Sequence, residues 1–197
     1  MKWYGTKRRR ALVASALGTV APLLWAAPAS ANTQWDIRLG YGCSGGFTGA
    51  GWSYNAGWGT WNNPDTMCGG GSLWTYPNGS TASSHLKWWA YAPCGTLDLD
   101  LAIDVPSWDA NYTHAHYTVT DQAGHVLYTL YIDQAAVSGD DNFAALSVPD
   151  CQTITVTLDD LGTYVNGQTV IGGADVDFHF TDMDEGDRPC VADCDTR

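Results

Sequence analysis

The stretch that decides the fold is GTLDLDLAIDVP, Gly95 to Pro106. Leu97, Leu99, Leu101, Ile103 and Val105 alternate with Asp98, Asp100, Ala102 and Asp104. That is the period-two pattern of a strand with one buried and one wet face. A helix over the same residues would scatter the carboxylates around its whole circumference. Five aliphatic side chains on one side predict a central strand of an antiparallel sandwich, whose sheets each turn one face to the core and one to water. On this reading Asp98, Asp100 and Asp104 form a solvated acidic face.

Outward from that strand the same pattern recurs. Residues 86–92 (LKWWAYA) precede it across a Pro93-Cys94-Gly95 turn. Residues 115–120 place Ala115, Tyr117 and Val119 inward, and residues 125–132 place Val126, Tyr128, Leu130 and Ile132 inward. The DQAG turn at 121–124 joins these two as a hairpin. Residues 143–148, 152–158 and 174–180 complete the set. In the last, Val176, Phe178 and Phe180 are expected inside, with Asp175, Asp177 and His179 outside. Short strands also fit residues 34–39 and 51–55. No segment carries a helical period, and turns about every 8 to 12 residues predict an all-β, jelly-roll-like antiparallel β-sandwich.

The N-terminus reads as an export signal. Lys2, Lys7, Arg8, Arg9 and Arg10 form a basic start, residues 11–27 are apolar, and Ala29-Ser30-Ala31 is an A-x-A cleavage site. The apolar run contains Pro22 and is short for a span of about 20 residues. The expected division is a signal peptide over 1–31, one sandwich domain over 32–181 with a Trp- and Gly-rich first part, and an acidic tail over 182–197. Removal of 1–31 leaves four basic residues against 21 acidic ones, a formal charge of −17. Such a surface repels phosphate backbones and anionic membranes, which disfavours nucleic-acid and lipid partners.

All six cysteines follow the signal: Cys43, Cys68, Cys94, Cys151, Cys190 and Cys194. An even count in an exported chain predicts disulfides, and the spacings fit neither a zinc ribbon nor a redox pair. The expected pairs are Cys43 with Cys68, Cys94 with Cys151, and Cys190 with Cys194. The middle pair rests on APCGTL and PDCQTI, where each cysteine stands just before a strand.

The order of features resembles the golvesin-like, or xanthan-lyase-type, carbohydrate-binding domain of secreted bacterial proteins. The residues that carry the likeness are Phe47-Thr48-Gly49-Ala50-Gly51-Trp52, Trp88 or Trp89, Gly95-Thr96-Leu97, and Val105-Pro106. Ala115-His116-Tyr117-Thr118-Val119, Gly124, Gln134 and Gly173-Ala174-Asp175-Val176-Asp177-Phe178 follow in order. The likeness covers about residues 47 to 180. It departs at residues 140–146, where Phe143 stands without the family's Leu-Gly, and at His179, where the family carries a basic residue. The resemblance implies a sandwich with a binding role and carries over no catalytic residue.

Eight tryptophans follow residue 31. An indole is a large rigid face with a polar N–H at its edge, suited to stacking on the C–H face of a pyranose while neighbouring amides and carboxylates bond the hydroxyls. Trp58, Trp61 and Asn62 in GWGTWNN, Trp74 and Tyr76 in LWTYPN, and Trp108 and Tyr112 in WDANY are the candidate ligand-binding residues. Trp52, Trp88 and Trp89 are expected in the core. A sugar site requires Trp58, Trp61 and Trp74 to be exposed, whereas a structural or protein-interaction sandwich would bury them.

Other chemistry is weaker. GCSGG at 42–46 looks like a serine-protease nucleophile loop, but that fold needs its His and Asp earlier in the chain, and here no His precedes Cys43. His114-Ala115-His116 could offer two metal ligands without a third, so surface imidazoles are expected. Asp98 and Asp100 with Asp175 and Asp177 would converge on Ca2+ if their strands were neighbours; otherwise no cofactor is called for. No pair of carboxylates is distinguished as glycosidase machinery. The expected function is therefore a secreted, non-enzymatic module for extracellular polysaccharide, with a structural sandwich and a hydrolase or hydrolase inhibitor as the alternatives.

Overall fold

The computed structural model describes residues 34–43, 49–55, 57–61, 67–93, 97–149, 151–165 and 169–182. Twelve strands occur among them: β1 (Gln34–Gly40), β2 (Gly51–Tyr54), β3 (Gly59–Trp61), β4 (Ser72–Thr75), β5 (His85–Tyr91), β6 (Leu97–Val105), β7 (Ala115–Thr120), β8 (Val126–Ile132), β9 (Gly139–Val148), β10 (Thr153–Asp159), β11 (Ile171–Gly173) and β12 (Asp175–Asp182). They form an antiparallel sheet ordered β1-β12-β6-β9, a second ordered β2-β5-β10-β7-β8, and a small one ordered β11-β4-β3. Among the described residues no helix is long and apolar enough to cross a membrane.

The alternating strand β6 lies inside the first sheet with β12 on one side and β9 on the other. Leu97, Leu99, Leu101, Ile103 and Val105 are all buried. They meet Val176, Phe178 and Phe180 from β12, and across the core lie Leu86, Trp88 and Ala90 of β5, Ile154, Val156 and Leu158 of β10, and Tyr117 and Val119 of β7. Sheets packed this way stand about 10 Å apart. Trp88 spans the gap: its indole N–H donates to the Ala174 carbonyl at 3.3 Å, so the most polar atom of the central side chain is satisfied.

Gln134 ties the third sheet to the second. Buried, its amide nitrogen donates to Gly172 O at 2.6 Å and to Tyr117 Oη at 3.2 Å, and its oxygen accepts from Gly172 N at 3.1 Å. Burial pushes the Tyr117 phenol well above its ordinary pKa. A disulfide joins Cys43 to Cys68. Cys151 is disulfide-bonded as well; its N–H donates to Pro93 O, the carbonyl preceding position 94, while Cys94 itself lies outside the described residues.

Expectations for six residues are corrected. Trp89 is not core: on β5 it alternates with buried Trp88, pairs with Thr155, and stands on the outer face of the second sheet. Val126 and Tyr128 are exposed, at 59% and 40%. Between Val119 and Thr120 the β7–β8 register shifts, leaving Leu127 as an extra residue that turns Val126 outward opposite Thr120, and β8 is an edge strand. Asp104, Asp175 and Asp177 alternate as predicted but are buried, because other chain segments cover that part of the outer face.

Candidate functional site

At the end of the sandwich, β4 runs into the turn Tyr76-Pro77-Asn78-Gly79, and β10 runs into Asp160-Leu161-Gly162-Thr163-Tyr164. The two loops are joined by paired backbone hydrogen bonds, Gly79 N to Gly162 O at 2.6 Å and Gly162 N to Gly79 O at 2.8 Å, and Asn78 N donates to Asp160 O at 2.7 Å. Gly79 takes a φ of 71°, a left-handed conformation that glycine adopts without strain. At Gly162 a Cβ would lie 2.3 Å from the Tyr112 hydroxyl, so only glycine lets the loop cross that ring.

Between the loops lies a cleft of about 440 Å³. Its floor holds Thr75 and Ser84, and its walls carry Tyr76, Asn78, Ser83, Asp160 and Tyr164. The rings of Tyr76 and Tyr164 meet edge to face, 5.4 Å between centroids, and both side chains are exposed. Behind them Trp74 packs edge to face on Tyr76 at 5.3 Å. Buried Asp160 accepts from Ser83 N at 2.8 Å and Ser83 Oγ at 2.7 Å, and Asn78 Nδ2 donates to Ser83 Oγ at 2.7 Å. Two rigid rings beside an ordered amide–hydroxyl–carboxylate chain match the apolar and polar halves of a sugar ring. Asp160 is the sole carboxylate among the described residues lining the cleft, so this wall offers no facing acid–base pair.

The predicted residues are distributed unevenly around this cleft. Tyr76 lines it and Trp74 supports it. Tyr112 sits behind the second loop, where its hydroxyl accepts from Thr163 N at 3.1 Å. Trp58 is buried, 8% exposed, next to the Gly57 carbonyl that accepts from Thr75 Oγ1, so it is a packing residue and not a loop platform. Trp108 is 59% exposed and does not line the cleft. Trp61 ends β3, with its side chain outside the described residues, as is Asn62 altogether. Sequence reasoning missed Tyr164, Asp160 and Ser83. The signal for Tyr164 and Asp160 was present in LDDLGTYVNG, which mixes aromatic and amide residues as LWTYPN does.

The remaining candidates behave as structural groups. His116 pairs with Asp159 at 2.7 Å, and His114 Nδ1 contacts Thr113 Oγ1 at 3.0 Å. Strands β6 and β12 are neighbours, but their register sets Asp98 opposite Thr181, Asp100 opposite His179 and Asp177 opposite Ala102, which interleaves the four carboxylates with other side chains. His179 instead bonds Asp36, and Arg38 holds Asp177 at 2.9 Å. Burial nevertheless raises the Asp177 carboxyl above its usual range, against the pull of Arg38. The one metal-like cluster among the described residues is Cys43, Cys68 and Asp175, and its two sulfurs are bonded to each other and offer no thiolate.

No protein-family model matches the sequence, and no curated protein matches it significantly. Among solved structures the chain is similar to the CBM36-1 domain of a multidomain xylanase from the hindgut metagenome of Trinervitermes trinervoides, at 15% identity and a TM-score of 0.42, covering 74% of this chain and 96% of that one. It is similar to the C-terminal CBM6 of LamC, a marine laminarinase from Zobellia galactanivorans, at 9% identity and a TM-score of 0.43, covering 73% and 98%. A cleaved adhesin domain of Lys-gingipain from Porphyromonas gingivalis aligns at 12% identity and a TM-score of 0.41, covering 76% and 99%.

Proposed function

We propose that this protein is a secreted, non-catalytic β-sandwich that binds a neutral extracellular carbohydrate in the cleft between residues 76–84 and 160–164. The observation that carries the reading is the pair of exposed rings, Tyr76 and Tyr164, set 5.4 Å apart over a polar wall of Asn78, Ser83 and Asp160. A pyranose presents C–H groups on one face and hydroxyls at its rim, and the cleft presents the complement of both. Secretion rests on the three-part N-terminal pattern over residues 1–31. The acidic charge favours a neutral occupant here, since Asp160 lies in the wall.

Affinity electrophoresis in gels containing neutral polysaccharides tests the reading. Tyr76→Ala and Tyr164→Ala are expected to abolish the retardation seen for the unmodified protein, with Trp108→Ala unchanged. Equal retardation of all three, or retardation of none across a broad panel, removes the cleft as a sugar site.

A further inference from the structure

The outer face of the second sheet carries a surface unlike the rest of the molecule. Its registers lay side chains out in rows across the strands. One row is Gly51, Trp89, Thr155 and Thr120; the next is Ser53, Lys87, Thr157, Thr118 and Thr129. Short hydroxyl side chains leave this face flat, and two aromatic groups bracket it. Trp89 lies over the bare backbone of Gly51, where a Cβ would come within 2.7 Å of its ring. Tyr131, 66% exposed, lies over His116 with centroids 5.1 Å apart.

Lys87 stands in the middle of this face, and it is the single lysine after residue 31. Among the described residues no carboxylate lies within ion-pair distance of it, although the chain carries 21 acidic residues. The nearby acid, Asp159, is engaged by His116 at 2.7 Å and by Leu161 N at 3.1 Å. The acidic outer face of the first sheet, with Asp36, Asp98 and Asp100, lies across the sandwich. Two sheets about 10 Å apart put it more than a Debye length of about 8 Å away, so its repulsion is screened at physiological salt.

From this geometry we infer that the outer face of the β2-β5-β10-β7-β8 sheet is a second binding surface, which takes a polysaccharide bearing anionic groups. Lys87 receives the anion, the rows of Thr and Ser hydroxyls bond sugar hydroxyls, and Trp89 and Tyr131 contact sugar faces. Charge complementarity selects the occupant: a neutral chain leaves the unpaired ammonium unused, and a cationic one is repelled by it. The surface is separate from the cleft, which is lined by none of these residues.

Polygalacturonate and dextran sulfate, with neutral dextran as control, separate a carboxylate from a sulfate source. In microscale binding measurements at physiological salt, at least one of the two anionic polymers is expected to bind. Lys87→Gln should weaken that binding at least about fivefold, while Lys87→Arg keeps most of it. Trp89→Ala should weaken it as well, and Tyr76→Ala should leave it unchanged, which distinguishes failure here from failure at the cleft. Melting temperatures of each variant exclude misfolding. Binding by neither polymer, or binding that Lys87→Gln leaves intact, overturns the proposal.

Discussion

Asp104 and Asp175, on neighbouring strands, are held beneath a single turn of the chain: Met67 N donates to Asp104 Oδ2 at 2.5 Å and Cys68 N donates to Asp175 Oδ2 at 3.1 Å. Asp175 is fully buried, and its Oδ1 has no hydrogen-bond partner among the described residues. That oxygen rests against Gly40, occupying the place a side chain there would fill. Burial, aided by the Asp104 charge, pushes the Asp175 carboxyl up to about 7 despite the Cys68 N–H.

This arrangement makes stability depend on pH in an unusual direction for a carboxyl group. Between the unfolded value of 3.8 and about 7, the folded chain holds a proton that the unfolded chain has released. The stabilisation is therefore complete below about 4 and is lost as pH rises through about 7. Melting temperatures from pH 5 to 8 should fall for the unmodified protein. Asp175→Asn, neutral at every pH and still able to accept from Cys68 N, should flatten that fall and melt higher at pH 8. Parallel curves for the two proteins would show that Asp175 ionises freely.

The Cys43–Cys68 disulfide anchors the turn that covers these carboxyls, and the two loops cross where a Cβ on Gly42 would meet Gly70 Cα at 2.3 Å. Replacing both cysteines with serine is expected to lower stability by about 3 kcal/mol through lost chain constraint. It should also weaken the pH dependence, because an unanchored turn admits water to Asp175. Urea titrations at pH 5 and 8 measure both effects, and an unaltered pH dependence in the double variant would separate the bond from the carboxyl pair.

Trp58 belongs to the core by its burial, so Trp58→Ala is expected to cost about 3–5 kcal/mol while leaving sugar retention per folded molecule unchanged. Its buried indole N–H has no partner among the described residues, so Trp58→Phe should retain most of the stability. Chemical denaturation of both variants checks this. A stable Trp58→Ala protein that no longer binds polysaccharide would return this residue to the site.

Cys151 carries a disulfide and its backbone lies against Pro93. Peptide mapping without reduction is expected to recover Cys94 joined to Cys151. A Cys94 peptide linked to any other cysteine would reassign both loops.

Alternation made the sandwich legible: every aliphatic residue predicted inward on β6 and β10 is buried, because a period of two admits no other packing once one face is apolar. The pattern could not say what covers the opposite face. Asp98 and Asp104 share a face of β6, yet Asp104 is buried, since the residue 67–68 turn and its disulfide arrive from distant sequence. The bulge at Leu127 was similarly hidden, because a single extra residue leaves composition unchanged while turning Val126 outward and keeping Leu130 and Ile132 inside. At the cleft, Tyr76 was readable as an exposed loop aromatic, but its partner Tyr164 is 88 positions away and is brought beside it by tertiary contacts, the Gly79–Gly162 bridge among them, that no local pattern announces. Counting tryptophans drew attention to Trp58, whereas tyrosines line the cleft.

The Gly79–Gly162 bridge fastens both walls of the cleft into one body. Neither loop can move away from the other without breaking two backbone hydrogen bonds. A ligand therefore meets a mouth already shaped, with little ordering entropy left to lose, and association should proceed in one kinetic phase without a closing step. The same bond couples the two loops as a pair: a change of length in one misaligns the other, so new specificities can be grafted here only by exchanging both loops together.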